Sequence, residues 1–112
     1  MAESKLRNLS VEFSVKIIKL CENIKGHYSL TNQLERSGTS IGANIREANY
    51  AYSKKDFISK LQIALKECYE TEYWLELLDR DKAKEIYNEC GTIRKMLISS
   101  INTAKQNAEN IK

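Results

Sequence analysis

The chain has 112 residues, no proline and only four glycines, with 42% hydrophobic and 29% charged residues. That length forms one domain, residues 1–112, able to bury a core without metal or disulfide staples, and the scarcity of turn residues excludes a β-sandwich or barrel in favour of helices. The formal net charge of +3 is too small to require a polyanionic partner, while the polar start MAESKLRNLS and the lack of any apolar run near the roughly 18 residues of a membrane span predict a cytoplasmic location and no membrane partner.

The first predicted helix covers about residues 8–25, with Leu9, Phe13, Ile17, Leu20 and Ile24 spaced by three or four, and Gly26 supplies its stop. Advancing about 100° per residue, Phe13, Ile17, Leu20 and Ile24 gather on one side, whereas Val11, Val15 and Ile18 lie roughly 140–200° from Phe13. A monomeric bundle leaves that far side polar. Here it is apolar, which predicts a homo-oligomer.

The second helix covers about residues 30–52, with Thr31 or Ser29 as its cap and Leu34, Ile41, Ile45 and Ala48 on one stripe. Gly38 and Gly42 interrupt it four residues apart, among Ser37, Ser40 and Ala43. A glycine in a helix costs about 1 kcal/mol relative to alanine, and close approach of another backbone, within the bundle or from a second subunit, offsets that cost. Arg36 and Glu47 lie opposite the stripe, either facing water or pairing across a subunit boundary.

Ser53 caps the third helix, about residues 54–78, and Asp56 sits at its positive end. Its stripe is Phe57, Leu61, Ala64, Leu65, Cys68 and Leu75, while Ile63, Trp74 and Leu77 lie on the other side and join the interface candidates. Glu72 falls about 20° from the axis of the stripe. A buried carboxylate needs a partner, and Ser37, Ser40, Asn44 or a tyrosine hydroxyl would complete a polar network that sets helix register; a general acid or base is the competing role. After the break Asp79-Arg80-Asp81, the fourth helix, about residues 82–110, carries Ile86, Cys90, Ile93, Leu97, Ile101 and Ala104 and frays near Lys112. Short connections make neighbours antiparallel, so the expected fold is an all-α, up-down-up-down four-helix bundle.

Nothing in this pattern carries catalysis. Cys21, Cys68 and Cys90 lie on or beside apolar stripes without a CxxC spacing, as buried reduced thiols do. The single histidine, His27, cannot supply the ligand sets of di-iron or zinc sites, and no phosphate-binding or nucleophile motif is present. No catalytic residue, metal or cofactor is therefore expected. The charge is uneven: residues 1–66 hold eleven Lys or Arg against six acidic residues, and residues 67–112 hold seven against nine. A positive face built from Lys16, Lys19, Arg46, Lys54, Lys55 and Lys60 would contact RNA or DNA phosphates without reading bases. A scaffold ring holding another protein, with no nucleic acid, is the alternative.

The stretch RSGTSIGANIREA at 36–48, followed by SKKDF at 53–57 and by Leu61, Ala64, Leu65, Glu67, Thr71, Glu72 and Leu75, resembles the signature of the four-helix bundle proteins named after 23S rRNA intervening sequences. Ala48 stands where that signature more usually has glycine. The resemblance spans nearly the whole chain and implies a homopentameric ring. It extends to the accessory variability proteins of diversity-generating retroelements, which implies nucleic acid and a reverse transcriptase as partners. It implies no catalytic residue.

Overall fold

The computed structural model describes the backbone of residues 2–110 and the side chains of residues 4–108. Four helices follow one another: α1 (Ala2–Glu22), α2 (Tyr28–Ala48), α3 (Lys54–Glu76) and α4 (Asp81–Asn110). No strand occurs among the described residues. α2 packs on α1 and α3, and α4 packs on α3 and α1, leaving α1 and α3 on one diagonal and α2 and α4 on the other. The molecule measures 53 × 21 × 20 Å, so its two ends lie far apart.

The predicted stripes converge in one core. Phe13, Ile17, Leu34, Ile41, Ile45, Leu61, Cys68, Leu75, Ile86, Cys90, Ile93 and Leu97 are each at most 2% exposed. Leu9, Phe57 and Leu65 pack on this core from half-buried positions.

Helix boundaries differ from expectation in instructive ways. α1 begins at Ala2 rather than near Asn8, because Leu6, 2% exposed, carries its buried face N-terminal of Asn8. α2 is capped by neither Thr31 nor Ser29. Gly26, at φ 88°, turns the chain early enough for the helix to start at Tyr28, with His27 as an N-cap that offers no side-chain bond. Thr31 is instead buried inside the first turn and donates to the Tyr28 carbonyl at 3.2 Å. α2 stops at Ala48, so Tyr50 and Tyr52 belong to the turn. Ser53 does cap α3: its Oγ accepts from the Asp56 N–H at 3.1 Å, and Asp56 Oδ2 accepts from the Tyr52 N–H at 3.3 Å. This reciprocal pair satisfies two amide donors at the α2–α3 turn. The expected fraying near Lys112 lies outside the described residues.

The glycines of α2 face α1 of the same chain. A Cβ on Gly38 would stand 2.9 and 3.0 Å from the γ carbons of Ile17, and one on Gly42 would stand 3.3 Å from Ser10 Oγ. Packing within the bundle thus accounts for both.

Candidate nucleic-acid interface

The six predicted phosphate contacts do not form one face. Because the helices alternate in direction, the end of α1, the start of α2 and the α3–α4 turn share one end of the bundle. The α2–α3 turn lies at the other end with the start of α1. Lys16 and Lys19 belong to the first end, and Arg46, Lys54, Lys55 and Lys60 to the second. The basic surplus of residues 1–66 is therefore divided between two poles, since α1 and α3 sit on a diagonal and cannot offer a shared surface.

Carboxylates weaken part of each set. Lys16 Nζ lies 2.6 Å from Glu89 Oε1, and Lys60 Nζ lies 3.0 Å from Glu47 Oε1. Hydrogen bonds to those carboxylates raise both ammonium pKa values, so these lysines stay charged, but their charge is locally offset. Lys19, Arg46, Lys54 and Lys55 make no ion pair with any described carboxylate.

Each pole also holds residues that spacing did not single out. At the first, Arg80 and Lys82 join Lys16 and Lys19 around a hollow of about 470 Å³ with Asn23 in its wall. Lys82 pairs with Glu85 at 3.4 Å, and Arg80 has no described partner. The sequence marked Asp79-Arg80-Asp81 only as a helix break; the antiparallel order is what brings it beside α1. At the second pole, a groove of about 550 Å³ runs between the α2–α3 turn and α4. Its polar lining includes Asn49, Ser53, Lys54, Ser99, Thr103 and Asn107 and no carboxylate.

The polar network takes a different form from the one expected. Glu72, 6% exposed, meets none of Ser37, Ser40 and Asn44. Both of its oxygens accept from Arg94 Nε on α4, at 3.0 and 3.2 Å, and the guanidinium lies 5.7 Å from the Tyr69 ring centroid. A cation answers a buried carboxylate better than a neutral amide or hydroxyl does. Ser37 instead accepts from Thr71 Oγ1 at 2.9 Å and donates to the Leu34 carbonyl at 3.3 Å, a buried link between α2 and α3. Ser40 and Asn44 bond only to carbonyls of their own helix, at Arg36 and Ser40. Arg36 and Glu47 face α3 of the same chain: Arg36 pairs with Glu70 and, at 3.7 Å, with Glu67, while Glu47 takes Lys60. Burial, then the nearby Glu70, pushes the Glu67 carboxyl up, and Arg36 only partly offsets this.

Among the interface candidates, Val11, Val15, Ile18, Ile63 and Leu77 are exposed at 38–53%. Trp74 differs. It is half-buried against the core, its Nε1 donates to Glu70 at 3.3 Å and its ring meets Tyr73 edge-on, so its own chain already covers much of it.

All three cysteines are free; Cys68 and Cys90 are buried and Cys21 is only half-buried. Burial, with a smaller push from Glu35, raises the Cys21 thiol to about 11, and the hydrogen bond between Cys90 and Cys68, then burial, holds the Cys90 thiol well above the ordinary range. Such thiols stay protonated and are weak nucleophiles at neutral pH. Among the described residues, no three His, Cys, Asp or Glu side chains are grouped as metal ligands, and no helix is long and apolar enough to cross a membrane.

The family profile described as 23S rRNA-intervening sequence protein matches residues 2–99. The chain is also similar to a protein of known crystal structure from Bacteroides thetaiotaomicron VPI-5482, described as being of unknown function and from the S23 ribosomal protein family. The two are 45% identical, with a TM-score of 0.84 over 91% of this chain and 99% of that one. No curated protein matches the chain.

Proposed function

The chain belongs to the 23S rRNA-intervening sequence protein family, and from that footing we propose that it is a non-enzymatic cytoplasmic homo-oligomer that holds the backbone of RNA or DNA. The observation that carries this reading is the set of cations at the two poles, Lys19 and Arg80 at one and Arg46, Lys54 and Lys55 at the other, none of which forms an ion pair with a described carboxylate. Cations in that state attract phosphates without distinguishing bases. One copy offers few contacts. Assembly multiplies them, because each further contact made by a joined copy is intramolecular.

The far face of α1 supports assembly. Val11, Val15 and Ile18 are 45%, 44% and 39% exposed on one helix, and covering apolar surface is worth about 25 cal/mol per Å². A homopentameric ring, which the resemblance to the family signature implies, is the form proposed for that assembly. A reverse transcriptase as partner would place the chain in the retroelement branch, and binding of nucleic acid by the chain alone does not depend on it.

The test is affinity for mixed-sequence RNA and DNA at two salt concentrations. With three or more cations engaged, affinity falls at least about tenfold between roughly 50 and 200 mM salt. Absence of binding at the lower salt, or binding indifferent to salt, contradicts the proposal. A protein that co-purifies after nuclease treatment, with no affinity for nucleic acid, would favour the scaffold ring instead.

A further inference from the structure

We propose that the α2–α3 turn takes single-stranded rather than duplex nucleic acid, with Tyr50 and Tyr52 as stacking surfaces for bases and the adjoining carboxylate-free groove as the seat of the sugar-phosphate chain. This deepens the nucleic-acid reading above and rests on it. Tyr50 and Tyr52 are 82% and 100% exposed. Neither ring stacks on another aromatic ring, and neither hydroxyl makes a hydrogen bond among the described residues, so folding leaves both rings without an evident task. Backbone groups do the structural work of the turn: Tyr50 N–H donates to the Glu47 carbonyl and Tyr52 N–H to Asp56.

The turn alternates. Asn49, Ala51 and Ser53 line the groove, while Tyr50 and Tyr52 do not. Two exposed tyrosines thus alternate in sequence with residues of a concavity whose polar lining is hydroxyls, amides and the Lys54 ammonium. Hydroxyls and amides can donate to phosphate and ribose oxygens, and Lys54, Lys55 and Arg46 supply positive charge. Of the nearby carboxylates, Asp56 is turned to the Tyr52 N–H and Glu47 is held by Lys60. Aromatic rings beside a positive groove are how proteins hold single strands with little sequence preference. In a duplex the bases stack on each other, and a ring reaches their faces only by forcing a base step apart.

The experiment measures fluorescence anisotropy of a labelled 12-nucleotide mixed-sequence strand, as RNA and as DNA, and of the corresponding duplex, titrated at low salt with the full chain. Three proteins are compared: wild type, Tyr50→Ala/Tyr52→Ala and Tyr50→Phe/Tyr52→Phe. Wild type is expected to favour the single strand, and the double alanine variant to lose at least about tenfold in affinity for it, since stacking on one ring contributes roughly five- to a hundredfold. The phenylalanine variant keeps the stack and stays within about twofold, as does duplex binding by the alanine variant. An unchanged helical circular dichroism spectrum shows that the alanine variant folds. Equal binding of strand and duplex, undisturbed by the alanines, overturns this inference while leaving backbone binding in place. Failure of wild type to bind either probe overturns both. Loss of a co-purifying protein in the alanine variant, with strand affinity intact, assigns the turn to a protein and also overturns it.

Discussion

Arg94→Met is expected to destabilise the protein by about 2–4 kcal/mol, because it leaves the Glu72 carboxylate inside the bundle without its cation. Removing one member of a buried pair ordinarily costs about 3–5 kcal/mol; the lower figure reflects an Arg94 side chain that is 26% exposed and partly screened by solvent. The loss comes from the stranded charge more than from the bond itself. It follows that Glu72→Leu in the same chain, which removes the charge, restores most of the stability, whereas Glu72→Leu alone leaves a cation that can still turn toward water and costs less than Arg94→Met. Urea unfolding followed by circular dichroism, at several protein concentrations so that any assembly is accounted for, measures all three. Equal losses for both single variants that simply add in the double variant would mean that Glu72 and Arg94 do not act as a pair.

The second large effect concerns the contact of α1 with α2. Ile17→Ala is expected to cost about 2–5 kcal/mol, the usual range for truncating a fully buried aliphatic side chain. Gly38→Ala in the wild-type chain is also expected to destabilise, by up to about 2 kcal/mol. Its new methyl meets the Ile17 γ carbons at 2.9 and 3.0 Å, and overpacking of this kind costs about 1–3 kcal/mol, against a gain of about 1 kcal/mol in helix propensity. Because isoleucine is branched at Cβ, those carbons cannot swing aside without α1 moving. With Ile17 already alanine the methyl has room, and Gly38→Ala becomes stabilising by up to about 1 kcal/mol. The diagnostic outcome is the change of sign, read from denaturant midpoints. A destabilisation of the same size in both backgrounds would place the strain somewhere other than the Ile17 contact.

These two sites also show where sequence reading succeeds and where it stops. Spacing alone located the core, since Ile17, Ile41, Leu61, Cys68 and Leu97 each recur at helical intervals and each is buried. It located the Ser53 cap for the same reason: the signal is local. It identified Glu72 as needing a partner but missed Arg94. That choice depends on which cation a neighbouring helix brings within reach, and a neutral network of Ser37, Ser40 and Asn44 satisfied the periodicity equally well. The basic residues divide between two poles for a related reason. Lys16 and Lys60 belong to the same charge-rich half of the chain, yet the bundle places α1 and α3 on a diagonal and gives each lysine a carboxylate, Glu89 and Glu47, from a neighbouring helix. Arg80 and Lys82 were hidden because a polar break reads as a loop until antiparallel packing sets it beside α1. The expected range 30–52 puts Tyr50 and Tyr52 inside a helix. Ending α2 at Ala48 moves them into an exposed turn, and only there do they become available to a ligand.

Assembly and nucleic-acid binding are tested together by sedimentation velocity of the purified chain at low salt with a fluorescently labelled single strand of about 30 nucleotides, absorbance following the protein and fluorescence the strand. The predicted result is a protein boundary at a multiple of the 12.9 kDa chain mass, with the label moving in that boundary and released as salt is raised. A protein sedimenting as a single 12.9 kDa particle, with the label left behind as free strand, would contradict both halves of the proposal.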